Sequence, residues 1–381
     1  MMTRIKSSRI LTPGGIIAGY VYMVDGKITA VTDENLPFDT EFDAGGDYVS
    51  PGFIDIHTHG GAGYDFSVST EAVIGAVNFH LTHGTTSICP TISAAPFDVM
   101  AKAAEYIAEA RRDVRTKANI LGAHMEGPYL SAAQCGAQCP DFITPPKPED
   151  YVSFIEKFAG EIARFTYAPE NDPDGAFCRF LTEHGIVVSA GHTNAIGDEM
   201  DTAIANGCSL VTHLYSCCST VTRDHGFRRL GVIETALLRD ELYAEIIADG
   251  KHLPADLIRL IVKCKGIDRV ALVTDSLHLA GTDVKQGKMM ATDFIIEDGV
   301  CKLLDSSAFA GSIATADRLV RVIREEVGLP LTDAVKMAAE VPAKIMGINK
   351  GKLEAGYDAD VIVFDEGINV ETAFVGGNQV V

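Results

Sequence analysis

At residues 51–60 the chain reads PGFIDIHTHG. The run Val49–His57 is rich in β-branched and aromatic residues, which predicts a buried strand. His57 and His59 lie two positions apart, and alternate residues of a strand point to the same face, so both imidazoles can reach one ion. Imidazole is a suitable ligand for Zn²⁺ or Fe²⁺. The stretch therefore predicts a strand with a metal site at its carboxyl end.

Seven more strand candidates follow, and amphipathic helical patterns such as Phe97–Val114 and Pro254–Lys263 lie between most of them. The candidates are Thr85–Pro90, Asn119–Glu126, Arg164–Ala168, Ile186–His192, Ser209–His213, Tyr243–Ala248 and Arg269–Thr274. Eight strands that alternate with helices indicate an α/β fold of the (β/α)8 TIM-type barrel class, with a doubly wound parallel sheet as the alternative. Two further helices are predicted, over Ile313–Val327 and Thr332–Met346.

Both ends of the chain differ from the middle in their sequence pattern, because they consist of short β-type runs separated by turns. Asp25-Gly26 between two such runs is a hairpin signal, and Gly351–Leu353, Ala359–Phe364 and Thr372–Val375 are the runs near the carboxyl end. We predict that the two ends form one small β-sandwich domain. The predicted division is 1–50 for its first part, 51–346 for the barrel and 347–381 for its second part.

Charge and composition limit the function. The 381 residues carry a formal net charge of -20, which argues against a general nucleic-acid binder because phosphate backbones need Lys and Arg. The sequence shows no apolar run long enough for a bilayer and no signal peptide, so no membrane partner and a cytoplasmic location are expected. The nine cysteines are an odd number without paired metal-knuckle spacing, and a disulfide framework is not expected.

Residues of metal-ligand type stand at the ends of the predicted strands. In a (β/α)8 barrel the carboxyl ends of the strands form one rim, where active sites lie. Each residue has an ordinary structural alternative: a helix cap or salt bridge for Glu126, an N-cap for Asp275. His124, on the same face as Glu126, is interpreted as barrel filling or support for a ligand. The shared position at strand ends predicts a metal set of His57, His59, Glu126, His192, His213 and Asp275.

The chain resembles the amidohydrolase superfamily in its opening motif, residues 51–60, and the N-acetylglucosamine-6-phosphate deacetylases along nearly its whole length. The motifs that carry the second resemblance are Glu126-Gly127-Pro128-Tyr129, Gly191-His192-Thr193-Asn194-Ala195, Thr212-His213-Leu214-Tyr215, Ala248-Asp249-Gly250-Lys251-His252, Thr274-Asp275-Ser276, Phe309-Ala310-Gly311-Ser312 and the tail 351–360. The combination is specific for superfamily and subgroup, and less so for substrate.

The resemblance implies how the site is used. Glu126, His192 and His213 would hold the principal divalent ion, and His57 and His59 a second, so one or two ions are expected, Zn²⁺ first and Fe²⁺ or Mn²⁺ as alternatives. Asp275 would be the general acid and base, and His252 would stabilise the oxyanion. The substrate contacts implied are Ala137, Ser216, Cys217, Arg228, His252, Phe309, Ala310 and Gly311.

The chain departs from the family pattern around the substrate. Ser216-Cys217-Cys218 stands where the family has Asn-Ala-Met, and Gly136-Ala137-Gln138 replaces Gly-Ala-His. The family's phosphate-binding arginine, often supplied by the neighbouring subunit of a homodimer, has its nearest match in Arg228, with Arg223 and Arg229 as competitors. Guanidinium groups suit phosphate, while a solvated loop cluster is the plain alternative.

The resulting hypothesis is a metal-dependent deacetylase of an N-acetylhexosamine 6-phosphate, acting in amino-sugar catabolism. Another amidohydrolase activity, on an N-acyl amino acid or a cyclic amide, keeps the same fold and metal. A metal-free scaffold protein of this fold is the non-enzymatic alternative, and the presence of every proposed ligand argues against it.

Overall fold

The computed structural model describes residues 1–289 and 291–381. Its centre is a sheet of eight parallel strands in chain order, which confirms the predicted barrel. The first and eighth strands meet at their carboxyl ends, where Asp275 N donates to His57 O at 2.9 Å and His59 N donates to Ser276 O at 2.8 Å. The barrel strands are Phe53–Thr58, Thr85–Ser93, Ala123–Glu126 (preceded by the short Asn119–Ile120), Ile162–Tyr167, Val187–Ala190, Cys208–Val211, Tyr243–Ile246 and Val270–Leu272.

A helix follows each barrel strand, as the alternating pattern predicts. In order these helices are Thr70–Leu81, Phe97–Arg112, Pro148–Lys157, Ala176–Glu183, Gly197–Ala205, Val232–Leu238, Ala255–Lys265 and Ala316–Val322, the last continued by a π-helical turn over Ile323–Val327. Short 3₁₀ turns lie at Ala132–Gln134, Pro140–Phe142, Pro169–Asn171 and Ile267–Arg269. The apolar faces of the helices pack on the barrel in one large core.

Two helices, Leu331–Ala338 and Glu340–Met346, replace the single helix predicted over Thr332–Met346. Ala339, at φ -132° and ψ -66°, lies outside helical geometry and interrupts them. Both helices contact the first and eighth barrel strands.

The two ends of the chain form one mixed β-sheet, which confirms the predicted β domain. Its order is Asn378–Gln379, Val370–Val375, Val361–Phe364, Tyr48–Pro51, Thr3–Thr12, Gly15–Val24 and Lys27–Thr32, with Thr40–Asp43 also paired to Thr3–Thr12. Asp25 and Gly26 both have positive φ, as the predicted tight hairpin requires. The strand predicted over Gly351–Leu353 is wrong, because this segment is bent, irregular backbone.

Three insertions extend the loops at the carboxyl face of the barrel. They are the pair Gly60–Gly61 with Tyr64–Asp65, the ribbon Thr222–Asp224 with Phe227–Arg229, and the three-stranded sheet Gln286–Met289, Thr292–Glu297 and Val300–Leu303. Within the described ranges no helix has both the length and the apolar character that crossing a bilayer demands.

Candidate metal centre

The six predicted metal ligands come together at the carboxyl face of the barrel, each at most 9% exposed. His57 and Glu126 lie within the first and third strands. His192, His213 and Asp275 follow the fifth, sixth and eighth strands with φ of 47°, 29° and 47°. Such left-handed residues are uncommon outside glycine and cluster at functional sites. At all three the chain turns where its strand ends.

Glu126 is the centre of the set. Its Oε1 lies 3.2 Å from the Nε2 atoms of both His192 and His213 and 3.3 Å from His57 Nε2. Its Oε2 lies 3.3 Å from His59 Nε2. The two carboxylate oxygens therefore face different histidines: Oε1 faces His57, His192 and His213, whereas Oε2 faces His59.

These separations fit a metal. Ligand atoms about 2.1 Å from a tetrahedral ion lie about 3.4 Å from one another, close to the observed 3.2–3.3 Å. The Nε2 atoms of His192 and His213 face each other at 3.2 Å, a contact that two unprotonated nitrogens make well only around a shared cation. Among residues 1–289 and 291–381, neither ring nitrogen of the buried His57 has a hydrogen-bond partner.

The electrostatics of the site favour positive charge. Burial alone would lower the pKa of His57, but attraction to Glu126 and Asp275 raises it to about 10. Burial would likewise lower the pKa of His59, but the contacts with Asp275 and Glu126 raise it to about 9. Burial would raise the pKa of Glu126, but His57, His192 and His213 hold it well below its usual value. A cation and protons would therefore compete for the same nitrogens.

Asp275 lies at the edge of the set, close to both His57 and His59. Its Oδ1 is 3.2 Å from His59 Nε2 and 3.6 Å from His57 Nε2. Burial would raise its pKa, but His57 and His59 lower it, so the carboxylate is ionised and ready to accept a proton. Gly311, at φ +110°, passes so close that a Cβ there would lie 2.9 Å from the Asp275 carbonyl oxygen.

His252 faces the same opening from the loop after the seventh strand. Its Nδ1 lies 2.8 Å from Asp249 Oδ2, and its backbone N donates to Asp249 Oδ1 at 2.9 Å. The Nδ1–H group donates to the Asp249 carboxylate, which fixes the ring and leaves Nε2 as the nitrogen that Asp249 does not engage. Phe309 packs edge-on against the ring at 5.0 Å between centroids.

A cavity of about 150 Å³ opens over these residues. It brings together all the predicted substrate contacts except Arg228. The lining from that set is Ala137, Ser216, Cys217, His252, Phe309, Ala310 and Gly311, with Gln138, Met289 and Ala308 beside them.

Arg228 lies elsewhere, on the ribbon Thr222–Asp224 with Phe227–Arg229. It pairs across the ribbon with Arg223, so the two side chains share one face. Arg229 lies on the opposite face and pairs with Asp198 and Asp224 at 3.5 and 3.3 Å. Every residue from Val221 to Leu230 is exposed, and the ribbon does not line the cavity of its own chain.

Several residues outside the predicted metal set contact its members, and of these Ser93, Arg164 and Glu245 were not singled out from the sequence. Gln138 Nε2 donates to Glu126 Oε2 at 2.7 Å while its Oε1 accepts from Ala94 N. His59 Nδ1 lies 3.2 Å from Ser93 Oγ, and Arg164 and Glu245 form an ion pair inside the barrel. The sequence signal for Arg164 and Glu245 was that each is a charged residue within a predicted buried strand. His124 bonds Thr91 and Thr166 through its two nitrogens, as barrel filling requires.

Fold and site together define a metal-dependent hydrolase of the amidohydrolase class. The model of the Amidohydrolase family matches residues 48–380, and the chain belongs to that family.

Within it the chain groups with the N-acetylglucosamine-6-phosphate deacetylases. It is 33% identical to the one of Bacillus subtilis (strain 168), over 98% of this chain and 96% of the relative, and 32% identical to the one of Lysinibacillus sphaericus, over 91% and 89%. The solved deacetylase of Pasteurella multocida superposes with a TM-score of 0.92 at 31% identity and covers 100% of both chains. A Mycobacterium smegmatis deacetylase mutant, in complex with N-acetyl-D-glucosamine-6-phosphate, also gives 0.92, at 28% identity over 100% of this chain and 99% of that one.

Proposed function

We propose that this chain hydrolyses the acetamide of N-acetylglucosamine 6-phosphate and releases acetate and the amino sugar phosphate. The convergence of four histidines, Glu126 and Asp275 under one cavity carries the proposal. The choice of substrate rests on the Bacillus subtilis and Lysinibacillus sphaericus relatives, which are named N-acetylglucosamine-6-phosphate deacetylases.

Glu126, His192 and His213 would hold the principal divalent ion, and His57 and His59 the second position. A divalent ion at this centre supplies Lewis-acid polarisation and lowers the pKa of water towards neutrality. Imidazole and carboxylate donors without thiolate suit Zn²⁺, and also Fe²⁺ or Mn²⁺.

Asp275 would move the proton. Its ionised Oδ1 faces the centre and can accept a proton from the attacking water, then return it to the departing amine, which is a poor leaving group while unprotonated. His252, held by Asp249, would donate an Nε2–H hydrogen bond to the carbonyl oxygen where negative charge develops. Phe309, Ala310 and Gly311 would close over the sugar, with Ala137, Ser216 and Cys217 on the other walls.

Phosphate binding would come from the arginine ribbon of a second copy. Arg223 and Arg228 share a face, and the pairing of Arg229 with Asp198 and Asp224 makes Arg229 the weaker candidate. Phe227, near the tip of the same ribbon, is 75% exposed, and Val221 and Leu230 at the base of the ribbon are exposed as well. A two-stranded ribbon has little stability alone, and an apolar tip of this kind suits burial against a partner. A homodimer with arginines that cross between subunits accounts for both features.

The test is acetate release from N-acetylglucosamine, N-acetylgalactosamine and N-acetylmannosamine, each with and without the 6-phosphate. We expect the 6-phosphate of N-acetylglucosamine to be turned over best and its unphosphorylated form much more slowly. Equal turnover with and without phosphate would overturn the substrate proposal, and turnover only of an N-acyl amino acid or cyclic amide would reassign it.

A further inference from the structure

We infer that the buried ion pair of Arg164 and Glu245 is a positioning device for His57, and that the affinity of the proposed metal position of His57 and His59 depends on it. The inference rests on the proposed metal-dependent function and extends it to residues outside the ligand set. Arg164 and Glu245 would not touch the substrate.

The pair lies wholly inside the barrel. Arg164 is on the fourth strand and Glu245 on the seventh, and both are 0% exposed. Arg164 Nη1 bonds Glu245 Oε1, and its Nη2 donates to Glu245 Oε2 at 3.0 Å. Two charges removed from water contribute little net stability compared with well-packed apolar side chains. Stability alone therefore gives no reason for an ion pair at this place.

Arg164 contacts the residues that immediately precede two of the proposed metal ligands. Arg164 Nη1 donates to the carbonyl oxygen of Ile56 at 2.9 Å, immediately before His57. Its Nη2 donates to Thr212 Oγ1 at 2.9 Å, immediately before His213. Both residues that precede a ligand are thus fixed by one guanidinium group.

Glu245, the other member of the ion pair, faces His57 and His213 themselves. Its Oε2 lies 3.6 Å from His57 Nδ1 and 3.4 Å from the backbone N of His213. At this separation the carboxylate of Glu245 acts on Nδ1 through its charge and not through a hydrogen bond. Its negative charge favours the ring form with the proton on Nδ1, which leaves the lone pair of Nε2 for a cation. His57 Nε2 faces Glu126 and Asp275 at 3.3 and 3.6 Å.

The ring of His57 is held against rotation by His124. The two rings pack edge to face at 4.7 Å between centroids, and His124 is itself fixed by bonds to Thr91 and Thr166. His59 is oriented separately, through Ser93 Oγ. The Nε2 atoms of His57 and His59 lie 3.6 and 3.2 Å from the same atom, Asp275 Oδ1, and Glu245 is the charged group behind the ring of His57.

The experiment measures metal content and affinity rather than activity. The purified chain is stripped with a chelator, reloaded with Zn²⁺ or Mn²⁺, dialysed and analysed for metal per chain. We expect two ions in the unmodified chain and one in Glu245→Gln, with affinity for the lost ion about tenfold to a hundredfold weaker. Asp360→Asn is the matched control, because Asp360 is 4% exposed and pairs with Lys350 at 2.6 Å; it is expected to keep both ions.

A paired substitution guards against misfolding, since Glu245→Gln leaves Arg164 without its counter-charge. In Arg164→Met/Glu245→Met both charges leave together, and we again expect one ion. Two ions with unchanged affinity in either variant, or only one ion in the unmodified chain, would overturn the inference. Acetate release by a chain with one ion would leave the proposed function intact, whereas two ions without acetate release would overturn the function and not this inference.

Discussion

The metal centre and the arginine ribbon lie at the same face of the barrel and differ in almost every physical respect. Each of the six ligands of the centre is at most 9% exposed and is held by neighbours within the chain. The ribbon is exposed from Val221 to Leu230, and its arginines do not reach the cavity of their own chain. Under the proposed function, the groups that would break the amide bond all lie within one chain, whereas recognition of the phosphate would depend on a second surface.

The largest effect is expected from Asp275→Asn. The amide cannot accept the proton of the attacking water, so kcat should fall about a thousandfold or more, while Glu126, His192 and His213 keep the principal ion. Steady-state kinetics together with metal analysis measure both. Asp283→Asn, an exposed carboxylate on a nearby loop, is the control, and retention of a tenth of the wild-type kcat by Asp275→Asn would remove it from the acid–base role.

His252→Asn should come next, with a fall in kcat of about a hundredfold to a thousandfold, because one donor to the developing oxyanion is lost. KM should change little if the ring acts mainly in the transition state. The exposed His184→Asn controls for the loss of an imidazole. A rise in KM with kcat unchanged would make His252 a substrate-binding residue instead.

Arg223→Ala/Arg228→Ala should raise KM for the phosphorylated substrate about tenfold to a hundredfold, the range expected for lost charge-assisted hydrogen bonds, and leave kcat nearly intact. Arg229→Ala, which removes an arginine paired with Asp198 and Asp224, should have a smaller effect. Unaltered KM in the double variant would rule out the ribbon as the phosphate site.

A mixing experiment tells whether the arginines act within one chain or between two. When Arg223→Ala/Arg228→Ala subunits are mixed with Asp275→Asn subunits, a mixed dimer with crossing arginines has one intact site, and high-affinity turnover should reappear. Arginines that served their own chain would leave both sites of the mixed dimer defective.

The smallest effect concerns the pH dependence of stability in chelated protein. His57 and His59 have folded pKa values of about 10 and about 9, above the unfolded value of about 6.5. Their protonation therefore stabilises the metal-free fold fully below about pH 6.5, and this stabilisation is lost as pH rises towards 10. Tm of the chelated chain should fall across that range, whereas reloading with Zn²⁺ should remove the fall. An equal pH dependence in both forms would contradict the assignment.

The eight barrel strands were predictable because each lies in a short apolar run between turn and helix signals, and their carboxyl ends form one rim whatever the details of packing. The first prediction, Val49–His57, joined two strands, since Tyr48–Pro51 belongs to the β domain and Phe53–Thr58 to the barrel. The ends of the helices were harder to predict. The helical periodicity of Thr332–Met346 continues through Ala339, where the backbone departs from helical geometry and divides the segment into two helices. Glu245 and Arg164 were overlooked as partners, because a bond between the fourth and seventh strands joins residues 81 positions apart.

The sequence by itself determined the barrel, the β domain made from both ends, and the kinds of atoms that could bind a metal, because periodicity and residue chemistry are local properties. Only the tertiary structure decided that Glu126 presents its two oxygens to different histidines and that Arg164 and Glu245 stand behind His57. It also separated Arg228 from the cavity of its own chain. These are distances between segments far apart in sequence, and they depend on the closure of the barrel and the direction of each side chain.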